Sequence, residues 1–381
     1  MTRALAGLIV CSLGAGISAA QGDNFTKNFK QFKDVSSNID YFSTSAIQIT
    51  AFERPVREAH QKLASFLGDN PAKGAIVICS SLEQRDSVNE ARVKRRGYKW
   101  VLIQMTPEAM TQQVMAQMKA QMGGQLPPGM IERFQSRSPE QKAAGESRLI
   151  GATVLRMCYA VLMTTLDPER EFRSSRLDDL SRSPLADWLD VGLASYASGG
   201  AALNLRFLQE HFDEVFPIED LLSMSRPFVA PTEGGAEGGS SGGQFVIRMG
   251  GDGNGGGNPP GEGAPGGGAR SGGLSAGGDA RNAFSMPKDV QDRMTFDSQA
   301  ASFFNYILQK LGMDKTRDVI RWNREGKLVR EVLARQEYLG ADPEQIERDW
   351  SEWVKSQKPE RPGSIRMSTG GPPSPASDQR P

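Results

Sequence analysis

The residues able to do chemistry are few and scattered. The chain has two histidines, His60 and His211. They fall in separate helical segments, each on the border of an apolar stripe. That is the usual place of a half-buried or surface histidine, so a shared metal is not expected. Asp178 and Asp179 form the nearest approach to a carboxylate pair for acid–base work, but adjacent positions in a polar run put them on a solvated loop. No G-x-S-x-G or S-x-x-K pattern marks a nucleophile in the segments that look ordered. A single G-x-G-x-x-G falls at Gly251, Gly253 and Gly256. A dinucleotide site needs a helix next, and "GNPPGEGAPGGG" cannot supply one. Asp252 and Asn254 imitate the start of a calcium loop without its further acidic ligands. Cys79 ends a strand-like run and Cys158 sits in an apolar helix. A disulfide and two buried thiols both remain open for them.

The stretch "SPLADWLDVGLASYASGG", Ser183 to Gly200, has the strongest pattern. Ser183 and Pro184 read as the cap and first residue of a helix. Leu185, Leu189, Gly192, Leu193 and Tyr196 line its inner face, and Gly199–Gly200 ends it. Before it, "ESRLIGATVLRMCYAVLM", Glu146 to Met163, is apolar nearly all round, as a central helix should be. Further upstream, "SAIQIT" (Ser45–Thr50) reads as a short strand. "FERPVREAHQKLASFLG" reads as a helix with Phe52, Val56, Ala59, Leu63, Phe66 and Leu67 on one stripe. "GAIVICS" and "YKWVLIQM" read as strands. The basic run between them, "RVKRRGYK", is a solvated turn. Met115, Met118 and Met122 recur at helical spacing in a packed amphipathic helix.

The 381 residues carry 45 Lys+Arg and 45 Asp+Glu. That balance gives no basic tether for nucleic acid and no acidic tail. Residues 1–20 read as a signal peptide: Arg3, the apolar "LAGLIVCSLGAGI", and a small-residue cleavage site after Ala20. An exported protein, periplasmic or extracellular, is expected, with no stable membrane span after cleavage. Residues 21–44 read as a linker. Residues 45–145 read as an α/β unit with a Met-rich helical insertion, and 146–232 as a helical part. Of the 42 glycines, 21 lie between Gly234 and Gly278. Such a segment buries too little apolar surface to offset chain entropy, so 233–285 is expected to be a disordered insert. "QFVIRM", Gln244–Met249, is an apolar island in it. Residues 286–357 return to helices, and 358–381 read as a disordered tail.

Three pieces resemble the peptidase MA-like, gluzincin-type zinc metallopeptidases. "DWLDVGLASYASG" is similar to that family's W-L-x-E-G-x-A-x-Y segment. "SFFNYILQKLGMDKTRDVIR" resembles its later S-x-x-x-x-Y-x-x-x-x-x-G helix. "LGADPEQIERDWSEWV" resembles its closing helix, with Gly340, Ile346, Glu347 and Trp350 in step. The resemblance covers about residues 146–356. It implies an α+β fold: a small N-terminal sheet followed by a mainly helical gluzincin-like domain interrupted by the Gly-rich insert.

The family's chemistry needs two histidines of H-E-x-x-H on one helix, with Glu from the next helix as third zinc ligand. Here the first helix has no histidine and places Arg156 in the slot. Val191 stands where the Glu belongs. Asp190 is adjacent but about 100° around the helix. The resemblance therefore implies a degenerate site at Arg156, Asp190 and Val191, with no catalytic residue, no zinc and no other cofactor. It also implies a peptide or protein partner in the remnant cleft, met by strand addition along an edge carrying Trp100, Leu102 and Gln104. An active hydrolase using non-standard ligands is the rival expectation.

Overall fold

In the computed structural model of the chain, residues 25, 28–34, 36–68, 71–121, 138–173, 182–229 and 287–358 are described. The expected signal peptide, the Asp178–Asp179 pair, the Gly-rich run with Gly251, Asp252, Gly253, Asn254 and Gly256, Met122, "QFVIRM" and the C-terminal tail lie outside them. The chain separates into two compact units, Met1–Arg226 with Thr295–Pro381, and Pro227–Met294. In the second unit Arg293 Nη1 donates to the Pro227 carbonyl at 2.7 Å.

The first unit is α+β. Its strands β1 (Lys30–Asp34), β2 (Ile39–Ser43), β3 (Gly74–Cys79) and β4 (Trp100–Met105) form one sheet in that order. β1 runs antiparallel to β2, and β2, β3 and β4 are parallel. The described helices are α1 (Ile47–Leu67), α2 (Leu82–Ser87), α3 (Glu90–Lys94), α4 (Pro107–Gln121), α5 (Pro139–Leu166), α6 (Asp187–Ser198), α7 (Ala201–Glu210), α8 (Ile218–Ser223), α9 (Lys288–Arg324), α10 (Val329–Leu333) and α11 (Pro343–Ser356).

Three expectations are corrected. Residues 21–44 are not simply a linker, because β1 and β2 lie there, joined by a turn in which Asn38 takes φ 55°. "SAIQIT" is not a strand. Ile49, Phe52, Val56, Ala59 and Leu63 are all buried, a spacing that belongs to one helix and draws Ile47–Thr50 into α1. Ser183 does not cap α6, whose first residue is Asp187. The Asn323 side chain serves that end instead, accepting from the Ala186 N–H at 2.9 Å.

The sheet is buried on both faces. Ile39, Tyr41, Ile76, Ile78, Trp100 and Leu102 share a core with α1, α5, α6 and α9. Phe42, Ala75, Val77, Cys79, Val101 and Met105 share another with Phe25, Phe29 and Val93 of α3. The crossover from β2 to β3 thus runs over one face through α1, and that from β3 to β4 over the other through α3. Both steps move the same way across the sheet, so the two crossovers have opposite hands. One is therefore left-handed, against a right-handed rule obeyed in about 98% of cases. Cys79 and Cys158 belong to opposite faces and are free thiols. Burial pushes the Cys79 thiol up to about 12 and raises that of Cys158 as well. Among the described residues one helix, α5, is long and apolar enough to cross a membrane, and its C-terminal half lies in the core.

Candidate functional site

The segments that resemble the peptidase family meet around α6. Gly192 brings α6 hard against α9: an added Cβ would stand 2.6 Å from Phe304 Cβ and 2.9 Å from the Ala300 carbonyl oxygen. Trp188 packs on Phe303 with ring centroids 5.4 Å apart, and Tyr196 meets Phe66 edge-on at 5.7 Å. Glu347 caps α8 by accepting from the Ile218 N–H at 3.0 Å. Trp350 is buried and donates to Ser302 Oγ at 3.3 Å. Each of these residues has a packing or capping task in this chain.

The three positions of the expected degenerate site have different surroundings. Val191 is only 3% exposed and belongs to the apolar core. Arg156 is half-buried. Burial depresses its guanidinium pKa, and Glu90 on α3 opposes that shift. Asp190 is part of a polar cluster at the start of α6.

That cluster is the most distinctive chemistry among the described residues. Asp190 is 1% exposed, and its Oδ2 accepts from the Ser183 N–H at a long 3.4 Å. Its Oδ1 has no hydrogen-bond partner among the described residues. Arg226 donates from Nε and Nη2 to the two Asp297 oxygens at 2.6 and 2.5 Å. Its main-chain N–H donates to Asp187 Oδ2 at 2.8 Å, and its guanidinium lies 5.5 Å over the Tyr159 ring. Burial raises the Asp190 carboxyl to about 7, against the opposing pull of Ser183 and Arg226.

A carboxyl whose folded pKa exceeds its unfolded value makes the fold weaker as pH rises. Asp190 should therefore leave stability intact near pH 4, erode it progressively up to pH 7, and change nothing further above. With the carboxyl raised from 3.8 to about 7, at 1.36 kcal/mol per pKa unit the full loss is on the order of 4 kcal/mol. Asp190→Asn should remove that slope. Denaturant titrations at pH 4.5 and 8 should show the variant gaining on the parent chain at the higher pH; equal gaps at both values would count against the shift.

The histidines stay apart in role. His60, on α1, is buried. Burial lowers its pKa against the pull of Asp34, and its Nε2 and the Tyr41 hydroxyl lack partners among the described residues. His211 stacks on Phe207 at 4.5 Å and lies 3.6 Å from Glu214. Among the described residues, no group of three or more His, Cys, Asp or Glu is placed to hold a metal.

β4 is the last strand of the sheet. The phase of its pairing assigns its backbone groups. The Gly74 N–H goes to the carbonyl of Asn38, just ahead of β2, at 3.3 Å, and the Thr106 N–H to Cys79 O at 2.9 Å. Alternation then turns Leu102 and Gln104 toward β3 and leaves Val101 and Ile103 facing outward. The side chains of Trp100 and Leu102 are in the core, and Gln104 accepts from Thr153 on α5 at 2.8 Å. Beside this strand Lys94 of α3 pairs with Glu90 at 2.9 Å and donates to the Phe172 carbonyl.

Sequence reasoning singled out Asp190 but missed Arg226, Asp297 and Tyr159 as its company. The available signal was a charged residue on an otherwise apolar helix, which demands a buried counter-charge. No family model, curated protein or solved structure matches the chain.

Proposed function

We propose that this is an exported, non-catalytic domain of peptidase MA-like descent that works by binding a peptide or protein partner. One observation carries the reading: at the start of α6 the buried Asp190 lies within the field of a guanidinium, Arg226, clasped by Asp297, while Val191 is sealed in the apolar core. A cation supplied by the chain itself sits among the acidic groups, and the next position offers hydrocarbon where the resembling enzymes offer a ligand. On this edge Val101 is fully buried, and the outward N–H and C=O of the partly exposed Ile103 are the natural place for an extended peptide to add as a strand.

Purified mature protein is expected to carry well below one zinc per chain by elemental analysis. It is also expected to leave casein intact when zinc is added. Stoichiometric zinc together with chelator-sensitive cleavage would overturn the reading in favour of a hydrolase with non-standard ligands.

A further inference from the structure

The pair Arg226–Asp297 joins residues 71 positions apart. The guanidinium is 8% exposed and the carboxylate 28%. A two-pronged bond of this kind fixes orientation as well as distance. Three helices meet on the one arginine: α9 through Asp297, α6 through Asp187, and α5 through the Tyr159 ring. The division of the chain falls at the same place, since the first unit stops at Arg226 and resumes at Thr295.

We propose that the Arg226–Asp297 pair is a staple across the gap in the first unit's own chain. By this staple the unit holds together without covalent continuity through residues 227–294. The side chains do at the gap what the peptide backbone does elsewhere: they keep the start of the α9 portion in register with α5 and α6. The excursion is thereby free to vary in length and composition without disturbing the helices at its base.

The test uses the full chain with a site-specific protease sequence introduced between Gly251 and Gly268. After cutting, the two fragments should co-elute and keep a thermal transition within a few degrees of the uncut protein. Asp297→Asn keeps the shape and removes the charge. Uncut, that variant should fold; once cut, its fragments should associate at least about tenfold more weakly than those of the cut parent, as expected when a buried charge loses its partner. Should Asp297→Asn fail to fold uncut, Arg226→Lys takes its place, since it keeps the charge but lacks the fork. Fragments of the cut parent that separate, or a cut variant that holds as firmly as the parent, would overturn the proposal.

Discussion

Val191→Glu should cost about 3–5 kcal/mol, enough to leave a typical domain near the edge of stability. The side chain at this position is 3% exposed within the main apolar core. A carboxylate there loses its hydration and finds hydrocarbon in return. Val191→Ala, which removes only packing, should cost less, about 1–3 kcal/mol. The two differ in pH response. The buried glutamate would titrate above its ordinary value, so its penalty fades as pH falls through that raised value, whereas the alanine penalty stays constant. Urea titrations at pH 5 and 8 separate them. If Val191→Glu costs under about 1 kcal/mol, or if added zinc restores its stability, position 191 faces a site rather than the core, and the non-catalytic reading loses its main support.

Gly74→Ala should be almost as damaging, at about 3 kcal/mol or more. Gly74 pairs with Trp100 across the β3–β4 ladder, and the indole lies over the glycine. An added methyl would stand 1.9 Å from Trp100 Cε2 and Cζ2. The ring cannot step aside: it is fully buried, and its Nε1 donates to the Ala72 carbonyl at 3.1 Å. Relief requires moving β4 or expelling the indole. Tryptophan fluorescence and the thermal midpoint, measured together, should both shift; an unchanged midpoint would mean the strand pairing is looser than drawn.

Parts of this fold were plain in the sequence because one force shaped them. β3 and β4 are buried on both faces, so "GAIVIC" and "WVLIQM" read as continuous apolar runs. α11 announces itself by Asp342 as cap, Pro343 at the first position, and Ile346, Trp350 and Val354 on one side. β1 was hidden, since "KQFKD" is largely exposed and its one large apolar residue, Phe32, makes no pattern. The start of α1 was misread because Ile47 and Ile49 alternate like a strand over six residues, and only the longer window reveals the helical period. Ser183–Pro184 carries the dipeptide of a helix start but forms a bend, its hydroxyl accepting from the Leu185 N–H at 3.2 Å.

The candidate site divides along the same line. Val191 as a buried apolar residue of α6 was legible from residue type and helical spacing. The Asp190, Arg226 and Asp297 cluster was not, because its members come from three distant segments and nothing local couples them. The edge of β4 shows a subtler limit. Alternation in sequence tells which side chains share a face. It does not tell which backbone groups face the neighbouring strand, and that phase turned Leu102 and Gln104 inward.

The mirrored crossovers offer a way to recognise relatives of this chain. Handedness cannot drift: a crossover passes over one face or the other, and no series of small substitutions carries it through the sheet. Two successive parallel steps of opposite chirality, with an antiparallel strand leading, therefore form a discrete signature that survives after residue identities have been lost. Kinship for this protein can be sought by comparing the chirality of strand connections in other small sheets that precede a long apolar helix.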